Sequence, residues 1–152
     1  MMNVLTEENY VERISSLTVE DWKPLLDLIP IIENVETFRT KTEPEKNEKD
    51  VIMLGGWREG PVVSQFLEAV YDIPIIIDFN WGSWDEGRSI ASNPGFDYDT
   101  VDIPTKCKLI TAFVRNDRFC EGALASNFED GTILRILKSI SRQFNSGSKH
   151  EE

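Results

Sequence analysis

The clearest periodic pattern of apolar side chains lies close to the C-terminal end. Five apolar residues recur there at the spacing that lines one face of an α-helix: Ile133, Ile136, Leu137, Ile140 and Phe144. Basic residues lie off this stripe, towards the end of the helix, where positive charge complements the helix dipole: Arg135, Lys138 and Arg142. The pattern predicts an amphipathic helix whose apolar face is buried.

An acidic turn, Glu129-Asp130-Gly131, precedes this helix. Asp130 or Thr132 would cap its N-terminus, because a side-chain oxygen there accepts a hydrogen bond from a free backbone N–H. Upstream of the turn, a second apolar pattern predicts a shorter helix: Phe119, Ala123, Leu124 and Phe128. Gly131 would end that helix, since glycine readily adopts positive φ. We therefore expect two helices that meet at a tight acidic corner.

Helical periodicity also predicts four helices in the rest of the chain, over residues 6–17, 18–29, 62–71 and 104–116. Thr18 and Asp21 have the spacing of a capping box at the start of the second, and Pro30 is expected to end it. Cys107 lies on the apolar stripe of the fourth helix, where a packed small hydrophobic residue is expected.

The segment from residue 40 to residue 50 interrupts these patterns. It is rich in charge and contains Pro44, so burial cannot offset the entropy lost on ordering it. We expect a mobile loop there, flanked by segments 35–39 and 51–54 that could pair as a minor hairpin. Glycine, serine and charged residues make up most of residues 146–152, which we expect to be a disordered tail.

Together the patterns predict a mainly α fold. We expect a single compact helical domain of five or six helices over residues 1–145, with at most a minor two-stranded hairpin. A chain of 152 residues buries roughly 68–70% of its unfolded surface, so it can form a core without disulfides or metal.

Charge narrows the range of partners. Against 16 Lys and Arg the chain has 27 Asp and Glu, a net charge of −11. Nucleic acids and anionic membranes bind proteins through basic groups, so this balance opposes both and favours a basic protein partner. We find no signal-peptide pattern and no apolar run near the ~18 residues of a membrane helix. A cytoplasmic protein without a cofactor is expected.

The motif R-F-C-E-G at residues 118–122, followed by A-L-A and then F-E-D-G-T-I-L at residues 128–134, resembles the C-terminal signature of a family of uncharacterised bacterial proteins. The likeness extends over most of the chain outside residues 40–50. Asn80 stands where we expect an aspartate in the family pattern. That family is a domain of unknown function, so the resemblance implies no activity, cofactor or partner.

Within the signature, Arg118, Cys120 and Glu121 are the candidates for catalysis. Arg118 would favour a Cys120 thiolate and Glu121 would oppose it. A cysteine nucleophile usually needs a base, yet the single histidine, His150, lies in the expected tail, which also argues against a metal site. In a second interpretation, two carboxylates among Glu121, Glu129 and Asp130 pair as acid and base across the corner. The third is a polar network that joins two helices through Arg118, Glu121, Glu129 and Asp130.

Two further groups of residues allow more than one interpretation. Trp81 and Trp84 are either recognition anchors or rings that fix an irregular loop to the core. The acidic run Asp97, Asp99 and Asp102 resembles a calcium loop only loosely, and we favour a solvated loop that caps the following helix.

We therefore expect a non-enzymatic protein-binding module, small and acidic as immunity and inhibitor proteins are, with Trp81, Trp84, Glu129 and Asp130 at the binding surface. The alternative is an enzyme of unassigned reaction that uses the Arg118, Cys120 and Glu121 corner. A deep pocket lined by Arg118 and Glu121 would favour the enzyme, and a flat face with both tryptophans exposed would favour binding.

Overall fold

A computed structural model of the chain describes residues 4–35, 37–41, 45–46, 52–53, 57–117 and 122–150. These residues form a mainly α fold, which confirms the predicted class. The helices are α1 Tyr10–Ser15, α2 Val19–Leu26, α3 Leu28–Asn34, α4 Pro61–Asp72, α5 Asp85–Ala91, α6 Ile103–Asn116, α7 Ala123–Glu129 and α8 Thr132–His150. The strands are β1 Leu5–Thr6, β2 Arg39–Lys41, β3 Glu45–Lys46, β4 Ile52–Met53, β5 Trp57–Glu59 and β6 Ile77–Asp78.

Helix α8 forms the centre of the core, as its apolar stripe predicted. Four stripe residues are fully buried: Ile133, Ile136, Leu137 and Ile140. The helix packs against α2, α3, α6 and α7. The helix extends to His150 and so includes residues 146–150, for which we expected disorder. A long helix that is already nucleated adds one hydrogen bond for each residue it fixes, which allows it to continue through polar sequence.

The predicted acidic corner between α7 and α8 is present. Gly131 has φ +85°, the left-handed conformation that glycine tolerates best. The Asp130 carboxylate accepts a hydrogen bond of 2.9 Å from the N–H of Thr132, the first residue of α8. Asp130 is therefore a capping residue.

Two helices were not predicted, so the described residues contain eight α-helices instead of five or six. Pro30 was expected to end the second helix, but it is the third residue of α3, within a first turn where proline is tolerated. Helix α5 was missed because only Gly87 and Ile90 are buried along it. The predicted capping box of Thr18 and Asp21 is confirmed at the start of α2.

Among the described residues, the strands form three short ladders. β1 pairs with β6 in parallel, which brings the start of the chain beside the segment before Trp81. β2 pairs with β5 and β3 with β4, both antiparallel. These partners differ from the predicted pairing of segments 35–39 and 51–54. β3 and most of β2 lie inside the expected loop 40–50, and residues 42–44 and 47–50 lie outside the described part of the chain.

Helix α6 positions the region around the two tryptophans. It packs against α1, α5, α7, α8 and the 3₁₀ turn Trp81–Ser83. The Thr111 hydroxyl accepts a hydrogen bond of 3.1 Å from the N–H of Ile77 and donates one of 2.8 Å to the carbonyl of Cys107. This bridge joins β6 to α6 and fixes where the following loop begins. Within the part of the chain that the structure describes, no helix is both long and apolar enough to cross a bilayer.

Candidate functional site

Trp84 is held by three neighbours. Its ring occupies the space beside Gly87, where an added Cβ would lie 2.1 Å from the Trp84 Cε3 atom. The Phe79 ring meets it nearly edge-on, with centroids 5.6 Å apart and an interplanar angle of 79°. The Lys108 Nζ atom lies 4.7 Å from its ring centroid. Trp84 therefore fixes the loop onto α5 and α6, the structural role that we had set against recognition.

Trp81 and Trp84 are half-buried and line one small cleft, so they do not form the flat, exposed face that we had expected of a binding surface. The other walls of this cleft come from the loop and from helices α5 and α6, and its volume is about 240 Å³. The other lining residues are mostly small or apolar: Gly82, Gly87, Arg88, Ala91, Leu109, Ala112, Phe113 and Asn116. We call this cavity the tryptophan cleft. It is smaller than the roughly 300–1,000 Å³ of sites for drug-sized ligands, and it suits a single side chain.

The rim of the tryptophan cleft is fixed by Arg88. Its guanidinium donates a hydrogen bond to the carbonyl oxygen of Gly82, which ties α5 to the 3₁₀ turn. Asp85 and Glu86, in the first turn of α5, are exposed beside this rim. The cleft therefore combines an apolar floor with negative charge close to its edge.

The other predicted site residues lie elsewhere. Arg118, Cys120 and Glu121 are outside the described residues, so their arrangement stays a prediction. Glu129 and Asp130 are exposed at the corner of α7 and α8, and neither lines the tryptophan cleft. The structure thus brings together the two tryptophans and leaves the two acids apart from them.

The acidic segment 97–102 caps and fastens helices, as we favoured. Asp102 accepts a hydrogen bond of 2.9 Å from the N–H of Thr105 and caps α6. Asp99 accepts hydrogen bonds from Arg142, at 3.2 Å from Nε and 3.1 Å from Nη2, and from the Ser139 hydroxyl. The Ser139 and Arg142 bonds lower the pKa of Asp99. The described residues contain no cluster of His, Cys, Asp or Glu suited to a metal ion.

Lys106 is a buried cation that sequence reasoning missed. Its side chain is fully buried, and its Nζ donates a hydrogen bond of 2.6 Å to the Gln143 Oε1 atom. Burial lowers its pKa to about 8, against the opposing effect of Asp99. The sequence does indicate that Lys106 is buried. It lies three residues after Ile103 and next to Cys107, so it falls on the apolar face of the helix.

A second cavity, of about 370 Å³, lies beside Gln143. It is lined by Ile14, Ser15, Leu17, Asp102, Ile103, Pro104, Gln143 and Phe144. Cys107, on the same helix, is fully buried, and burial raises the pKa of its thiol. Cys107 is therefore the packed small residue that its position predicted.

Comparison with known proteins gives a family and no activity. Residues 17–146 match a family model described as "Family of unknown function (DUF6508)". No curated protein and no solved structure matches the chain.

Proposed function

The chain belongs to the DUF6508 family, whose function is unknown, and from its own geometry we propose that it is a non-enzymatic protein-binding module. In this proposal the tryptophan cleft receives one large apolar side chain from a basic protein partner. The observation that carries the proposal is that Trp81 and Trp84 line the same preformed apolar cleft. Tryptophans in such positions are common among the residues that dominate binding energy.

Preorganisation supports this use of the cleft. Trp84 is held by Gly87, Phe79 and Lys108, so little side-chain freedom remains to be lost when a partner binds. Ordering a mobile side chain at an interface costs about 0.5–1.5 kcal/mol. A cleft that is already ordered avoids most of that cost.

Charge supports a basic partner. The net charge is −11, and the exposed Asp85 and Glu86 lie beside the rim of the cleft. Basic residues that flank an apolar anchor would meet this surface favourably, which speeds encounter and excludes acidic competitors. In this proposal the module acts in the bacterial cytoplasm, where its cysteines stay reduced.

Peptide display against the folded protein tests the proposal. The wild type should enrich peptides with one aromatic or large aliphatic residue between Lys or Arg residues. Trp81→Ala, which removes one wall, and Ala112→Phe, which fills the cleft, should each weaken binding at least tenfold. Ile31→Ala, which alters an exposed apolar residue of α3 outside the cleft, is the matched control and should bind as the wild type does.

NMR chemical shift mapping with an enriched peptide locates the site independently. Shifts should cluster in residues 81–91 and 109–116. Enrichment that survives Ala112→Phe, or shifts that cluster elsewhere, would contradict the proposal. The alternative, an enzyme that uses Arg118, Cys120 and Glu121, stays a prediction from the sequence, because these three residues lie outside the described part of the chain.

A further inference from the structure

Three aromatic rings surround the ammonium group of Lys108. Its Nζ atom lies 5.5 Å from the ring centroid of Tyr10, 4.6 Å from that of Phe79 and 4.7 Å from that of Trp84. The rings come from α1, from the residue after β6 and from the residue before α5. Ring faces at such distances attract cations, and cages of this kind recognise alkylammonium groups. We call Tyr10, Phe79 and Trp84 the aromatic cage.

The surroundings of the aromatic cage are acidic. Burial raises the pKa of the Tyr10 hydroxyl, and the carboxylates of Asp102, Glu7 and Glu86 raise it further. These carboxylates therefore act on the cage from the turn before α1, from α5 and from the residue before α6. Negative potential at the rim of the cage favours a cation inside it.

Within the cage, Lys108 interacts with the three rings. Among the residues that the structure describes, no Asp or Glu forms an ion pair with it, and its side chain is only half-buried. Holding a long lysine side chain in one conformation also costs entropy. An external cation that brings further contacts can therefore replace it.

The aromatic cage adjoins the tryptophan cleft. Trp84 belongs to both, and Lys108 is one residue from Leu109 on the floor of the cleft. An apolar anchor in the cleft would therefore place the basic residues beside it within reach of the cage.

We propose that the aromatic cage is a recognition site for a lysine side chain of the partner, and that Lys108 occupies this site in the free protein. The inference rests on the proposed function, because it identifies the partner's residue next to the apolar anchor. Lys108 itself demonstrates that the cage accommodates an alkylammonium group.

A small probe tests the cage without any partner. n-Butylammonium, which mimics the lysine side chain, is titrated into three proteins while the Trp84 indole and Phe79 ring signals are followed by NMR. Lys108→Ala, with an empty cage, should bind it with a millimolar Kd. The wild type should bind it about five- to thirtyfold more weakly, because Lys108 competes. Lys108→Met, which fills the cage with an uncharged chain, should show no saturable shift.

Two controls accompany the titration. n-Butanol has the same chain without the charge and should leave the Lys108→Ala signals unchanged. Lys23→Ala removes an exposed lysine of α2, which pairs with Asp27, and should behave as the wild type. Equal binding of n-butanol, or no saturable shift with folded Lys108→Ala, would overturn the cage as a cation site.

A second measurement uses the wild type, so it does not depend on the folding of a Lys108 variant. Replacing each lysine of an enriched peptide in turn by norleucine keeps the chain and removes the charge. One such replacement should weaken binding about five- to thirtyfold, and Phe79→Leu in the protein should abolish that difference.

Peptide binding that is lost with Ala112→Phe but insensitive to every norleucine would overturn the inference and leave the proposed function intact. If n-butylammonium binds to Lys108→Ala but the wild type enriches no peptide, the result would contradict the proposed function and not the cage as a cation site.

Discussion

Gly87 is the residue on which the position of Trp84 depends. The indole occupies the volume that a side chain at position 87 would need, and an added Cβ would lie within 2.1 to 2.7 Å of three of its ring atoms. These atoms belong to a ring that is already in contact with Phe79 and Lys108. The ring therefore has little room to move away.

Gly87→Ala should accordingly displace Trp84 and destabilise the protein. Overpacking a filled site costs about 1–3 kcal/mol, and we expect the free energy of unfolding to fall by that amount in urea titrations. Tryptophan fluorescence of the folded variant should change as well, because the ring leaves its contacts.

The matched control is Gly82→Ala, in the 3₁₀ turn that precedes α5. An added Cβ there would meet only the Asn80 Oδ1 atom, at 3.8 Å. Its free energy of unfolding should stay within about 0.5 kcal/mol of the wild type. If both variants were equally destabilised, the cause would be the loss of a glycine from the backbone and not the clash with Trp84.

Lys106 predicts an unusual dependence of stability on pH. Its pKa is about 8 in the folded protein against a usual value of 10.5. Between these values the unfolded chain holds a proton that the folded chain has released, so the free energy of unfolding rises with pH, by up to about 3 kcal/mol. Below pH 8 both states are protonated and the penalty of burying the charge is fully present.

The measurement compares the wild type with Lys106→Met from pH 7 to pH 10.5 by urea unfolding. The difference in stability between the two should move in favour of the wild type across this range. The comparison is needed because tyrosines of the unfolded chain titrate near pH 10, whereas burial raises the pKa of Tyr98 and of Tyr10 in the folded protein. Stability at the upper end of the range therefore depends on these tyrosines as well. A constant difference would mean that Lys106 keeps its proton throughout.

At the scale of elements, the apolar stripes that predicted α4, α6 and α8 are buried in the structure. Helix α8 was predicted because Ile133, Ile136, Leu137 and Ile140 share one face and all four are buried. Helix α5 was not predicted, because its position depends on the contact of Gly87 with Trp84 and on tertiary packing against α6. Strand pairing was predicted least well, since the parallel β1 and β6 are about seventy residues apart in the chain.

Arg135 joins α8 to the segment before α6. It donates hydrogen bonds of 2.8 Å from Nη1 to the carbonyl of Pro94 and 2.5 Å from Nη2 to that of Phe96, and its guanidinium lies 5.0 Å from the Tyr98 ring centroid. Arg135→Ala removes all three contacts. We expect a loss of about 1–2 kcal/mol in urea unfolding, together with faster amide hydrogen exchange in residues 95–101.

Lys138→Ala, on the same helix, is the control for Arg135. It removes a surface ion pair with Glu33 at 2.9 Å, which typically contributes under about 1 kcal/mol. Exchange in residues 95–101 should remain as in the wild type. Faster exchange there in Lys138→Ala would show that loosening α8 in general, and not the loss of the Arg135 contacts, releases the segment.

At the scale of the whole molecule, the candidate sites depend on contacts that spacing does not encode. Trp81 and Trp84 stood out in the sequence, but the other walls of their cleft lie as far along the chain as Asn116. The aromatic cage joins Tyr10 to Lys108, about a hundred residues apart. Only packing on α6 brings these residues together, so the sequence indicated the anchors and could not indicate the cavities.

The net charge of −11 leads to a prediction about binding kinetics. At an ionic strength of 0.01 M, charges act over about 30 Å, so the whole acidic surface steers a basic peptide; at 0.15 M they act over about 8 Å. Raising salt between these values should lower the association rate constant about tenfold or more and change the dissociation rate much less. Stopped-flow fluorescence of the tryptophans would measure both rates.

Two double variants, each of which removes two negative charges, separate the effect of the overall charge from the effect of charges beside the cleft. Asp85→Asn with Glu86→Gln removes two charges beside the cleft, whereas Glu12→Gln with Glu20→Gln removes two exposed charges on α1 and α2. At low salt both variants should associate more slowly than the wild type. At 0.15 M the α5 variant should be the slower of the two, because screening leaves nearby charges the larger effect and neither α1 nor α2 lines the tryptophan cleft. Equal rates for the two variants at 0.15 M would place the encounter surface away from α5 and contradict binding at the tryptophan cleft.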